Sequence, residues 1–188
     1  MLIYIHGFNS SPRSGKAQAC IDHFAKLGWS CLVPALAPDP ARAIASLRCL
    51  CVAAGRQAVL AGSSLGGFYA TWLVENGFAP RAILINPAVA ADEKLADEVG
   101  KTQRNWHSGA QYVFSQEYAH SLRELVVEEI SDSSRYLLMA QTGDEVLDWQ
   151  EADSYYQDCE KIIEPGGDHG FAGFERHLNT IAQAAGCA

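Results

Sequence analysis

Residues 58–67 read Ala58-Val59-Leu60-Ala61-Gly62-Ser63-Ser64-Leu65-Gly66-Gly67, and Phe68-Tyr69-Ala70-Thr71-Trp72-Leu73-Val74 follow directly. The first part is apolar without alternation, as in a strand covered on both faces. The second part has the composition of a buried helix. Between them lies G-x-S-x-G, as Gly62, Ser64 and Gly66. The bare pattern is weak evidence, but a strand before it and a helix after it make the setting of a nucleophile elbow. In such a turn the residues around the nucleophile must be small, which Gly62, Gly66 and Gly67 satisfy. The competing interpretation is a glycine-rich turn that cradles a phosphate. A dinucleotide G-x-G-x-x-G would need glycine where Ser64 stands, which disfavours it.

The same rhythm extends outward in both directions. Apolar strand candidates lie at 2–6, 29–34, 58–63, 82–86, 136–141 and 161–164, and helical stretches at 14–27, 40–54, 65–76, 148–158 and 171–185. Strands alternating with helices imply an open α/β sheet, mostly parallel, with right-handed crossovers and helices on both faces. Residues 87–134 break the rhythm. They offer a charged helix candidate at 90–100, a polar-aromatic loop at 102–114 and a second helix at 115–130. An insertion after a strand's C-terminal end lies at the edge where α/β sheets bind ligands. It is expected to form a small helical cap within a single domain spanning 1–188; a plain surface excursion is the alternative.

A serine hydroxyl needs a base to take its proton. In this chain order an acid and then a histidine should follow the serine. Of His6, His23, His107, His120, His169 and His177, only His169 follows the last strand in a glycine-rich turn, Gly166-Gly167-Asp168-His169-Gly170-Phe171. His23, His120 and His177 lie on helix patterns, with His177 expected at the surface, and His107 lies in the cap. The acid should follow the penultimate strand, in Gln141-Thr142-Gly143-Asp144-Glu145. Asp144 is favoured, then Asp148 and Glu145. Asp168 is disfavoured because sequence neighbours of His169 face it poorly. A solvated turn opening a helix would also explain Gly-Asp-Glu. Donors for a developing oxyanion are expected from the backbone N–H groups of Leu65, after the nucleophile, and Phe8, in the loop His6-Gly7-Phe8-Asn9-Ser10-Ser11-Pro12 after the first strand. His6 itself is expected to be an internal hydrogen-bonding post.

The chain resembles the YqiA-like esterases, small members of the α/β-hydrolase superfamily. The resemblance rests on His6-Gly7-Phe8-Asn9-Ser10-Ser11-Pro12, Gly62-Ser63-Ser64-Leu65-Gly66-Gly67, Asn86-Pro87-Ala88, Gln141-Thr142-Gly143-Asp144-Glu145-Val146-Leu147-Asp148 and Gly167-Asp168-His169-Gly170-Phe171. It is weakest over 90–129, the expected cap. It implies a reduced α/β-hydrolase fold lacking the usual first two strands. Six strands would lie in the order second, first, third, fourth, fifth, sixth. It also implies an acyl ester or thioester hydrolase with Ser64, Asp144 and His169 as its triad, and no metal or organic cofactor. Phe8, Trp106, Tyr112 and Phe114 are candidates for an apolar acyl pocket or for core. The same triad serves peptidases, lactonases and perhydrolases, and the fold also serves as a non-catalytic binding module.

Composition sets the outer limits. With 188 residues, 48% hydrophobic and 19% charged, the chain has an ordinary globular balance, which excludes disorder and coiled coil. A net charge of −8 disfavours nucleic acid or an anionic membrane as partner. No apolar run approaches the roughly 18 residues of a membrane span. Cys20, Cys31, Cys49, Cys51, Cys159 and Cys187 form no C-x-x-C. The first residues carry no basic stretch or small-residue cleavage site. Free thiols in a reducing cytoplasm are therefore expected, with a small-molecule acyl ester or thioester as partner.

Overall fold

The computed structural model describes residues 1–187. Strands β1 (Leu2–Ile5), β2 (Cys31–Leu32), β3 (Val59–Ser63), β4 (Ala82–Ile85), β7 (Tyr136–Gln141) and β8 (Glu160–Glu164) form one six-stranded sheet in the order β2-β1-β3-β4-β7-β8. Every pairing in it is parallel. This is the expected order, with the switch of direction at β1 and β3.

Side-chain alternation along these strands divides the core in two. Ile3, Ile5, Leu60, Leu84 and Leu138 face a layer built from α2 (Pro40–Ala53), α3 (Leu65–Glu75), α5 (Gln116–Arg123) and α6 (Trp149–Tyr155). Leu2, Tyr4, Ala61, Ile83 and Met139 face the other way, onto α1 (Gly15–Lys26) and α7 (Leu178–Ala184). Both faces are covered, which is why these strands read as continuous apolar runs. Burying a Leu or Ile side chain of this kind stabilises the fold by about 1.5–3 kcal/mol. Helix starts are encoded locally. Asp39 caps α2 by accepting from Ala41 N–H at 2.9 Å, ahead of Pro40 in the first turn, and Asp148 caps α6 by accepting from Gln150 N–H at 2.9 Å.

The elements between β4 and β7 differ from expectation. The stretch 102–114 is not a loop but an antiparallel hairpin of β5 (Thr102–Arg104) and β6 (Gln111–Val113). Its strands are three residues long, and only Gln103 is buried, so the sequence carries almost no apolar alternation there. The helix expected over 90–100 is α4 (Ala91–Lys94) followed by a 3-10 turn, Ala96–Glu98. The helix expected over 115–130 stops at Arg123. Beyond it lie the β-branched pair Val126-Val127, and the Val127 carbonyl accepts from the Tyr155 hydroxyl at 2.6 Å instead of continuing a helix. The helix expected over 171–185 is likewise delayed. Phe171 and Gly173 have positive φ, a 3-10 turn spans Phe174–His177, and α7 follows. At the sheet edge, β2 is shorter than the expected 29–34, with two residues paired to β1.

Candidate active site

The turn from β3 into α3 places Ser64 above the C-terminal edge of the sheet with φ 55° and ψ −122°. A non-glycine residue with positive φ stores strain, and such strain clusters at functional sites. The strain is held by backbone bonds on both sides. Ser64 N–H donates to the Ile85 carbonyl at 3.1 Å, and the Ser64 carbonyl accepts from Gly67 and Ala88 N–H at 2.9 and 3.1 Å. Gly66 lies so close to β1 that a Cβ there would run into the Ile5 carbonyl.

His169 meets Ser64 from the loop after β8. Its Nε2 lies 3.1 Å from Ser64 Oγ, and its Nδ1 lies 2.9 Å from each carboxylate oxygen of Asp144. This network assigns the proton to Nδ1, leaving Nε2 to accept from the serine hydroxyl. Asp144 has a side chain only 2% exposed, against 21% for His169. Burial pushes the Asp144 carboxyl up. Hydrogen bonds from His169 and from the Leu147 and Val146 N–H groups outweigh it and hold the pKa below the usual range. The group therefore faces the imidazole as a carboxylate.

The three loops hold each other in register. A Cβ on Gly143 would lie 2.5 Å from the Gly167 carbonyl, so the acid loop and the histidine loop cross where only glycine fits. Asn86, at the end of β4, donates to the Asp168 and His169 carbonyls at 3.0 and 3.3 Å and accepts from Gln141 N–H at 2.9 Å. Gln141 accepts from Asp168 N–H at 3.1 Å and donates to the Ala172 carbonyl at 2.9 Å. The tethering roles of Asn86 and Gln141 escape a reading of the sequence. Their only signal there is a polar residue closing an apolar strand.

The remaining candidates fall elsewhere. Asp148 is the cap of α6, and Glu145 accepts from His169 N–H at 3.0 Å rather than from its ring. Asp168 is exposed. His23 lies on α1, and the exposed His120 on α5 approaches Glu124 at 3.5 Å. His177 is not a surface residue. Its side chain is 13% exposed, bonded to Glu164 at 3.1 Å and packed edge-on against Phe171. His6 is internal as expected, but only Nδ1 is engaged, 3.1 Å from the Gly7 carbonyl; Nε2 is buried without a protein partner. Burial lowers the His6 pKa, so the ring is neutral.

Phe8 and Leu65 flank Ser64, and neither backbone N–H donates to a protein acceptor among the described residues. The Phe8 loop is fastened to the hairpin. Trp106 N–H donates to the Asn9 carbonyl at 2.9 Å, Asn105 to the Ser10 carbonyl at 2.7 Å, and the Tyr112 hydroxyl to Asn9 Oδ1 at 2.7 Å. A cavity of about 790 Å³ opens above Ser64 and His169, with Phe8 and Trp106 on its wall. Phe114 is instead core, packed edge-on beneath Phe8 with ring centroids 5.9 Å apart. Tyr112 lines a second cleft of about 290 Å³ on the far side of the Phe8 loop. Among the described residues, no helix is long and apolar enough to cross a membrane, and no group of three His, Cys, Asp or Glu side chains is gathered to hold a metal ion.

This topology is the α/β-hydrolase fold, and solved structures share it. Alpha/beta hydrolase domain-containing protein 10 from mouse superposes with a TM-score of 0.75 at 16% identity, over 97% of this chain and 88% of that one. The monoacylglycerol lipase of Paleococcus ferrophilus gives 0.71 at 13% identity, over 100% and 94%. Est1E from Butyrivibrio proteoclasticus, whose structure holds ferulic acid, gives 0.70 at 15% identity, over 98% and 85%. Likeness at these identities establishes the fold. Within it, the chain belongs to the uncharacterised protein family UPF0227, whose sequence profile matches residues 1–185.

Proposed function

We propose that this protein is a serine hydrolase that cleaves carboxylic esters or thioesters through an acyl-enzyme on Ser64. The observation that carries the reading is the continuous chain Ser64 Oγ, His169 Nε2, His169 Nδ1, Asp144, with links of 3.1 and 2.9 Å. His169 takes the serine proton as Oγ attacks the acyl carbonyl. Asp144 holds the imidazole tautomer and stabilises the imidazolium that forms. The N–H groups of Phe8 and Leu65, free of protein acceptors, receive the oxyanion. The imidazolium then protonates the leaving alcohol or thiol. Water, activated by the same imidazole, releases the acid.

Residues 87–134 act as a cap over this site, their hairpin clamping the Phe8 loop through Asn9. The cavity wall at Leu65, Ala88, Ala91, Leu95 and Leu147 is apolar and suits the acyl chain. A monoacylglycerol lipase among the structural neighbours supports an acyl ester as substrate. The test is hydrolysis of a 4-nitrophenyl acyl ester by wild type and Ser64→Ala. Wild type is expected to turn over with a rate that falls in acid. Ser64→Ala is expected to lose nearly all turnover while keeping the wild-type circular dichroism spectrum. Retained turnover in that variant, or a rate independent of pH between about 5 and 8, contradicts the reading.

A further inference from the structure

The cavity above Ser64 has two unlike walls. The apolar wall just described belongs to the core layer that includes α2 and α3. The opposite wall comes from the α1 layer and the segment after His169. It carries Ser14, Lys16 and Glu175 above Phe171 and Phe174.

Lys16 stands out on that wall. It is half-buried in the first turn of α1, and its Nζ donates to the Gly170 carbonyl at 2.8 Å. An ammonium has three protons to donate, and one carbonyl uses one of them. Among the described residues, no carboxylate lies within 4.0 Å of Lys16 Nζ. The other lysine on the cavity wall, Lys94, is neutralised by Glu151 at 2.8 Å. The two acids on the wall, Glu145 and Glu175, are exposed, and Glu145 already receives His169 N–H. Burial lowers the Lys16 pKa, against the smaller raising effects of the more distant Asp168, Asp144 and Cys20. A charge drawn out of water is ordinarily matched by a counter-charge. Here Lys16 lines the cavity that holds Ser64.

The side on which Lys16 lies decides which half of a substrate it meets. Gly170 follows His169, so the ammonium is on the imidazole side of Ser64. The leaving group lies on that side, because the imidazolium must reach its oxygen or sulfur. We infer that Lys16 is a specificity-determining residue that recognises an anionic oxygen group, carboxylate or phosphate, on the alcohol or thiol half of the substrate. The inference rests on the serine-hydrolase reading and adds a charge requirement to it.

The test compares 4-carboxyphenyl butyrate with its neutral methyl ester, 4-(methoxycarbonyl)phenyl butyrate, on wild type, Lys16→Met and Lys16→Arg. Dividing variant by wild type for each ester cancels the intrinsic reactivity of the leaving groups. Losing the bond to the Gly170 carbonyl lowers both esters together in Lys16→Met. The inference predicts a further loss of about tenfold in kcat/KM confined to the anionic ester, equivalent to ~1.4 kcal/mol. Lys16→Arg restores most of that selective loss. Equal losses on both esters, or none, overturn the inference while leaving the hydrolase reading intact. If wild type cleaves neither ester, the hydrolase reading falls and this inference falls with it.

Discussion

Replacing Asn86 by alanine is the perturbation whose size the structure sets most fully. Asn86 is 3% exposed and links three loops through one amide. Its Oδ1 receives Gln141 N–H at 2.9 Å, a buried bond. Leaving that N–H without a partner costs about 1–3 kcal/mol. Its Nδ2 holds the Asp168 and His169 carbonyls at 3.0 and 3.3 Å. Both belong to an exposed loop where water can take over, so their loss adds only about 0.5–1 kcal/mol. Asn86 also has φ 40°, where asparagine is tolerated and alanine is penalised by about 1 kcal/mol. The total is about 2.5–5 kcal/mol, or a fall of roughly 5–20 °C in Tm for a chain of this length. Asn86→Gly removes the φ penalty and should recover about 1 kcal/mol of the loss. Calorimetry measures both. Aryl-ester kinetics well below the variant's Tm supply a second readout, in which kcat falls while KM changes little, because the His169 loop has lost its tether and the apolar wall at Leu65, Ala88, Ala91, Leu95 and Leu147 has not. An Asn86→Ala protein within roughly 0.5 kcal/mol of wild type would refute the reasoning.

Other expectations follow from the same geometry. Asp144→Asn should lower kcat by about 10³–10⁴-fold, since an amide no longer holds the reactive imidazole tautomer; a loss under tenfold in steady-state assays would count against that role. Asp144 also bears on acid stability. Its folded pKa lies below the unfolded value of about 3.9, so its stabilisation is present above about pH 4 and lost as pH falls through the lowered folded value. Urea midpoints between about pH 2 and 6 should therefore fall less steeply with acid in Asp144→Asn, and equal slopes would contradict this. Gly66→Ala drives a methyl group into the Ile5 carbonyl and should destabilise by about 3 kcal/mol or more, which a wild-type Tm would disprove. Alkylation at pH 8 should mark the exposed Cys49 ahead of Cys31 and Cys159, whose thiols burial pushes up to about 11; peptide mapping that finds the reverse order overturns the assignment.

The sheet was legible because its strands are buried on both faces. Segments such as Leu2–Ile5 and Tyr136–Gln141 are continuous apolar runs, and the order of all six is the one that the family resemblance implies. The residues brought together at Ser64 were legible for a different reason. Ser64, Asp144 and His169 each end or follow a strand in a glycine-bearing turn, in the chain order serine, acid, histidine. The insertion was not legible. Its hairpin is held by Asn9, Gln103 and Tyr112 reaching across more than ninety residues of sequence, and no local periodicity encodes such contacts. Helices are shorter than the sequence suggests where a tertiary contact claims the next turn, as Tyr155 does at Val127, or where the backbone turns left-handed, as at Phe171 before α7. Asn86, Gln141 and Lys16 were missed because each acts through a loop carbonyl, a partner that sequence does not name.

The most direct test of the central claim is the intact mass of the protein after treatment with a fluorophosphonate, which reacts with a serine only when a base has activated it. One adduct on wild type and none on Ser64→Ala is the predicted result, because His169 sits 3.1 Å from a single strained serine hydroxyl. No adduct on folded wild-type protein, or an adduct that persists in Ser64→Ala, would contradict it.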